Sequence, residues 1–236
     1  MTRFRSPLLQ IEIAPESTRS TEDLGVWLPT SHVELLLMSG GVTAFGGYFR
    51  LFGSAPGSPI GLKRWNDLEA WKFAWPPRVR RFYCFGCTAL GDQYAYAQDD
   101  LVEGRDRVYF LEGLALQPEV IAESFLEFFD REFLRNARQP YDDAIRQARR
   151  RHGELRSSEM LVYSPSPLLG ADERVENLMK LDAYASMILN GDLASQVAEE
   201  SVDRKIVRVE TYVDERGRTR LRVVWSDNER SSGPGS

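Results

Sequence analysis

Cys84 and Cys87 are the only thiols in this 236-residue chain, and their C-x-x-C spacing admits two chemistries. A closed zinc site needs four ligands, as two such pairs or one pair with histidines. The only histidines are His32 and His152, far from the thiols and from each other in sequence, so no metal site is expected. A thioredoxin-like redox pair needs its first cysteine at a helix N-terminus, where the dipole lowers the thiol pKa. Here the pair sits in FYCFGCTALGDQYAYAQDD, residues 82–100, between an aromatic strand and a turn. Two small, half-buried thiols beside Phe85 and Gly86 are the simpler reading.

Other reactive constellations are missing from the sequence. G-x-S-x-G, the Walker phosphate loop and H-E-x-x-H do not occur. The glycines of GGVTAFGG, residues 40–47, lack G-x-G-x-x-G spacing and follow a helix instead of a strand, so they read as turns. Asp99-Asp100 and Asp142-Asp143 are adjacent carboxylates in polar segments, either solvated or able to ligate a cation. The expectation is a binding protein, not an enzyme, with no catalytic residues and no cofactor.

The elements that would carry a binding surface belong to an ordinary globule. Charged residues make up 28% and apolar residues 42%, which suggests neither disorder nor a membrane class. The opening MTRFRSPLLQIEIAPES lacks a secretory signature, so a cytoplasmic location is expected. Net charge is −5, but its distribution is uneven. From Asp92 to Glu132 there are eleven acidic residues against three basic ones, while Arg135 to Arg156 is arginine-rich. The pattern describes two solvated faces, or an acidic surface that steers a basic partner.

Order is expected from about residue 24. LPTSHVELLLMSGG predicts a short helix with a glycine cap, and VTAFGGYFRLFG predicts strands around a tight turn. RWNDLEAWKFAWPP offers a helical turn stopped by two prolines. Phe82–Phe85 and the alternating Gln93–Ala97 form a predicted hairpin. A polar loop over 99–106 leads to a strand in RDRVYFLEG. PEVIAESFLEFFDREFLRN reads as the strongest helix, with Val120, Ile121, Phe125, Phe128, Phe129 and Phe133 on one face. A second helix spans Tyr141 to about Arg151. LRSSEMLVY is extended, NLMKLDAYASMILNGDLASQVAEE is helical with a break expected at Asn190-Gly191, and KIVRVETYVDERGRTRLRVVWSD is a hairpin around Gly217.

WLPTSHVELLLMSGG, the strand ending RLFG, FGCTALGDQYAYAQDD, VYFLEG and AESFLEFF occur in an order that resembles the SUKH (Smi/Knr-like) superfamily. It contains fungal cell-wall-synthesis regulators and bacterial immunity proteins that neutralise polymorphic toxins. Residues 140–197 are similar to the C-terminal region of type VI secretion DNase-immunity proteins, through Gly153, Leu155, Glu159, Pro167, Leu169, Gly170, Asn177, Leu178, Lys180 and Asp182. The chain departs from that pattern at Gly170-Ala171, where a double glycine is usual, near Ala185-Ser186, where a histidine is often found, and in its extra hairpin. The resemblance implies an α+β fold: a mixed, curved sheet packed by helices, with a C-terminal helical extension and a terminal hairpin. The expected organisation is a lead-in over 1–23, a SUKH-like region over 24–135, an immunity-protein-like region over 140–197, a hairpin over 203–226 and a tail over 229–236.

Function then follows as an expectation. The resemblance implies an immunity protein that occludes a cognate toxin, and a nuclease toxin would be basic because it holds phosphate. The candidate partner-binding residues are Asp92, Asp99, Asp100, Glu103 and Asp106, with Tyr94 or Tyr96 as an aromatic anchor. Alternation puts both tyrosines on one strand face, and if that face is the core they are structural. The rival readings are a regulatory scaffold for an endogenous partner and a thiol-dependent enzyme.

Overall fold

The computed structural model describes residues 27–54, 60–199 and 204–226. The expected lead-in over 1–23 and the tail over 229–236 lie outside the described residues. Leu28-Pro29 leads into α1, Thr30–Ser39, which ends at Gly40 in the left-handed conformation with its N–H on the Leu36 carbonyl. This is the αL cap that the glycine pair predicts. Strands β1 (Val42–Ala44) and β2 (Phe49–Leu51) are joined by a 3-10 turn at Phe45–Gly47. A helical turn, α2 (Leu62–Trp65), and the tryptophans after it separate them from β3, Phe82–Thr88. Then come β4 (Gln93–Ala97), the short helix α3 (Gln98–Val102), β5 (Val108–Leu111) and β6 (Pro118–Ala122).

The fold class is α+β. The six strands lie side by side in chain order, and each neighbouring pair is antiparallel. The sheet is therefore a meander and not a mixed sheet. Most of its connections are too short for the crossover that parallel pairing needs.

Two segments differ from their predicted state. Pro118–Ala122 is an edge strand, where the apolar spacing suggests helix. The helix starts only after Ser124, whose hydroxyl accepts the Glu127 N–H, while the Glu127 carboxylate accepts the Glu123 N–H. Ser124-x-x-Glu127 is close to a capping box, a start signal that outranks the upstream periodicity. The helix α4 comprises α-helical turns at Phe125–Glu127 and Leu134–Arg138 around a π-helical segment, Phe128–Phe133. Its Leu134 N–H reaches back five residues to the Phe129 carbonyl. Phe125, Phe128, Phe129 and Phe133 are all buried, stacked in a chain of ring contacts that continues to Phe85 and His32.

The second difference is Leu178–Asp182. This segment forms β8, antiparallel to β7 (Glu159–Tyr163), with Leu178 opposite Tyr163. The Asp182 carboxylate then accepts the Tyr184 and Ala185 N–H groups, an N-cap that sets the start of α6, Ala183–Glu199. The helix passes through Asn190-Gly191 without a break. Gly191 serves packing: a Cβ there would lie 2.6 Å from the Trp75 indole, whose N–H donates to the Met187 carbonyl at 2.8 Å. Upstream, α5 covers Asp143–His152 with Asp142 as N-cap. The terminal hairpin is β9 (Ile206–Val213) and β10 (Thr219–Trp225).

The two family-like regions share one core. Leu155, Met160, Met187 and Ala194 belong to the same buried cluster as Tyr48, Trp75 and Phe85. Buried Arg50 of β2 donates to the Ser157 and Arg156 carbonyls, and the Leu161 N–H donates to the Ala89 carbonyl. These bonds, two from the Arg50 guanidinium and one between main chains, fix β7 beside the hairpin of β3 and β4.

Candidate functional site

The turn after β4 is held by one carboxylate. Asp100 is buried, its side chain 4% exposed. It accepts hydrogen bonds from Arg105 (Nε 3.0 Å, Nη2 2.8 Å), Arg107 (Nε 3.1 Å, Nη2 2.7 Å) and the Tyr109 hydroxyl (2.8 Å). The Arg107 hydrogen bonds, followed by those from Arg105 and Tyr109, overcome desolvation and hold its carboxyl down at about 2. Its backbone carbonyl also accepts the Arg105 N–H. Residues 98–107 are thus cross-tied into a fixed shape. The predicted polar loop is a one-turn helix followed by a braced return.

This brace displays Val102. At 87% exposure, Val102 is the most exposed of the described large apolar residues, and Asp99 and Glu103 are exposed around it. Glu103 also pairs with Arg105. Edge strand β6, whose Ala122 pairs with Val108 just after the turn, exposes Glu119 and Val120, and Glu123 follows it. An apolar knob ringed by carboxylates on a pre-ordered turn suits a partner with basic residues around an apolar pocket.

The other predicted residues do different work. Asp92 accepts the Thr88 hydroxyl and the Gly113 N–H at 2.7 Å, clamping the turn between β3 and β4 to the loop after β5. Burial pushes its carboxyl up to about 6. Asp106 accepts the Phe125 N–H at 3.1 Å and so caps α4. Tyr94 packs on Phe128, and Tyr96 stacks on Phe85 at 4.4 Å while its hydroxyl meets His32 Nδ1 at 3.1 Å. Both rings are buried, so the alternating face is the core face and neither tyrosine is available as an anchor. Of the seven candidates, Asp99 and Glu103 are presented to solvent, while Asp92, Asp100 and Asp106 act on the chain itself.

Val102 was missed, although the sequence held a signal for it. Leu101 and Val102 are adjacent on a single helical turn, so they cannot both face inward; Leu101 is buried. Arg105 and Arg107 are two of the three basic residues in the acidic stretch, and their role as partners of Asp100 depends on tertiary geometry.

Both thiols lie on fully buried β3. Burial pushes the Cys84 thiol up and Cys87 up to about 12, the reverse of what a nucleophilic thiol needs. Among the described residues, no group of three or more His, Cys, Asp or Glu is placed to hold a metal. A cleft of about 330 Å³ lies between Phe73–Pro77, α6 and the terminal hairpin. Its polar walls are largely paired with each other: Arg220 Nε bonds both Asp192 oxygens at 2.9 Å, and Ser195 donates to the Ala74 carbonyl.

No protein-family model matches the chain, and neither does any curated protein. Its fold is similar to the crystal structure of Atu4351 from Agrobacterium tumefaciens, with a TM-score of 0.54, 14% sequence identity, and coverage of 80% of this chain and 88% of that one. At that identity the likeness defines a shared α+β fold. No helix among the described residues is long and apolar enough to cross a membrane.

Proposed function

We propose that this is a cytoplasmic bacterial immunity protein, of the SUKH-like kind, that binds a cognate polymorphic or type VI secreted toxin and neutralises it by occlusion. The observation that carries the reading is exposed Val102 between Asp99 and Glu103 on the turn braced by Asp100. A turn already ordered before contact loses little entropy on binding, and its carboxylates complement the basic surface a nuclease uses for phosphate. The order of SUKH-like motifs and the residues shared with DNase-immunity proteins supply the toxin class.

The test is co-expression with the product of the adjacent toxin gene, followed by co-purification and measurement of cell survival. Val102→Asp is expected to weaken binding at least tenfold, about 1.4 kcal/mol. Asp99→Lys with Glu103→Lys is expected to slow association and to flatten its salt dependence. Unchanged affinity and protection in both variants sinks this surface as the interface. Capture of an endogenous protein, with no toxin bound, favours the regulatory scaffold.

A further inference from the structure

The sheet edges of this chain are protected unequally. In the terminal hairpin the Asp214 N–H donates to the Arg218 carbonyl, which sets which residues face their own partner strand. With Val213 opposite Thr219, Thr211 opposite Leu221 and Val209 opposite Val223, these are the wide pairs, whose backbone groups point outward. On β10 the outward groups are occupied. Leu221 N–H donates to Asp192, Val223 N–H to Gln196 Oε1, and Gln196 Nε2 to the Leu221 carbonyl. Side chains of α6 thus take the place of a neighbouring strand. On β9 the outward groups of Val209, Thr211 and Val213 meet no hydrogen-bonding partner among the described residues.

The remaining edges carry protection. β1 has buried ends at Val42 and Ala44. β6 starts with a proline, pairs through a bulge and bears Glu119, and β8 has Lys180 in its centre; such devices discourage edge pairing. β9 is eight residues long, has no proline or lysine, and exposes Val207 (58%) and Val213 (68%).

We infer that β9 pairs with β9 of a second copy of this chain, antiparallel about a two-fold axis at Val209, to make a four-stranded sheet across a dimer. The charge pattern selects this occupant and register. Arg208 and Glu210 flank Val209 and already bond each other at 2.7 Å. With Val209 on the axis, each Arg208 stands opposite Glu210 of the other copy, so two ion pairs become a four-charge cluster. Shifting the axis by one residue to Glu210 sets two carboxylates face to face, and directly opposed like charges are unfavourable. An isologous contact requires a self-complementary strand, and Arg208-Val209-Glu210 is one.

Sedimentation equilibrium of the full chain tests the inference from low micromolar to several hundred micromolar protein. The expected result is a reversible rise from 26.9 kDa to twice that mass. Thr211→Pro removes only an outward N–H, a position that tolerates proline, and is expected to weaken dimerisation at least tenfold with an unchanged far-UV CD spectrum. Glu210→Arg is expected to weaken it similarly, and Arg208→Glu with Glu210→Arg to restore it. A chain that stays monomeric throughout, a dimer unaffected by Thr211→Pro, or a charge swap that fails to restore pairing overturns the inference.

Discussion

Asp100→Asn removes the charge at the centre of the turn while keeping its size. The wild-type carboxyl is held at about 2 against an ordinary 3.8, a lowering that corresponds to roughly 2.5 kcal/mol. Arg105 and Arg107 are 46% and 33% exposed, so solvent screens the pairs and rehydrates the guanidiniums in the variant. The expected loss is then about 1–2 kcal/mol, below the roughly 3–5 typical of breaking a fully buried pair. At this chain length that is a fall in Tm of about 2–8 °C. The sign with pH is fixed by the depressed pKa. The stabilisation is complete above about pH 4 and is lost as pH falls towards 2. Urea unfolding of both proteins should give a constant stability gap from pH 8 to 5, and a gap that closes below pH 4. Amide exchange over 98–107 should accelerate in the variant, and affinity for the proposed toxin partner should fall with it. A gap that changes between pH 8 and 5, or no gap at all, refutes the claim that Asp100 is the ionised hub of the turn.

Four further outcomes follow from the same geometry. His32, buried and stacked on Phe125, is held down at about 3 by desolvation; its NMR resonances should stay those of a neutral ring from pH 8 to 5. Because the unfolded ring protonates first, its contribution falls by about 2 kcal/mol between pH 6.5 and 5. Cys84 and Cys87 should ignore Ellman's reagent at pH 8 until the chain is unfolded, and fast native labelling would reopen the thiol-enzyme reading. Gly191→Ala should destabilise the protein in thermal melts even though alanine favours helix by about 1 kcal/mol, because its Cβ meets Trp75. Ser124→Ala should cost about 1 kcal/mol through the lost cap, measurable by urea denaturation.

Short-range signals carried most of the architecture. Gly40, the alternation of Gln93–Ala97 and the Gly217 hairpin are each set by residues a few positions apart, and the structure follows them. Pro118–Ala122 and Leu178–Asp182 were misread because apolar spacing in a short window fits strand or helix equally, and caps at Ser124 and Asp182 decide between them. The site was less legible. The sequence located the acidic turn and two of its exposed carboxylates, Asp99 and Glu103. It could not distinguish a displayed carboxylate from an internal tie. That distinction depends on where Arg105, Arg107 and Tyr109 arrive in space, and on whether Thr88, Gly113 and Phe125 present donors.

The π-helical segment of α4 makes this helix sensitive to length in a way that composition does not show. One residue more than an α-helix would use is accommodated between Phe128 and Phe133, and all the phenylalanines of α4 point inward because of it. Inserting a further residue into Asp130–Glu132, beyond the one the π-helical segment already absorbs, would turn Leu134–Arg138 by about 100° relative to Phe125. Phe133 and Leu134 would swing towards water, and Arg135 and Arg138 towards the rings. Substitutions at those exposed positions are mild by comparison, so a chain of this fold can vary in letters along α4 far more freely than in count.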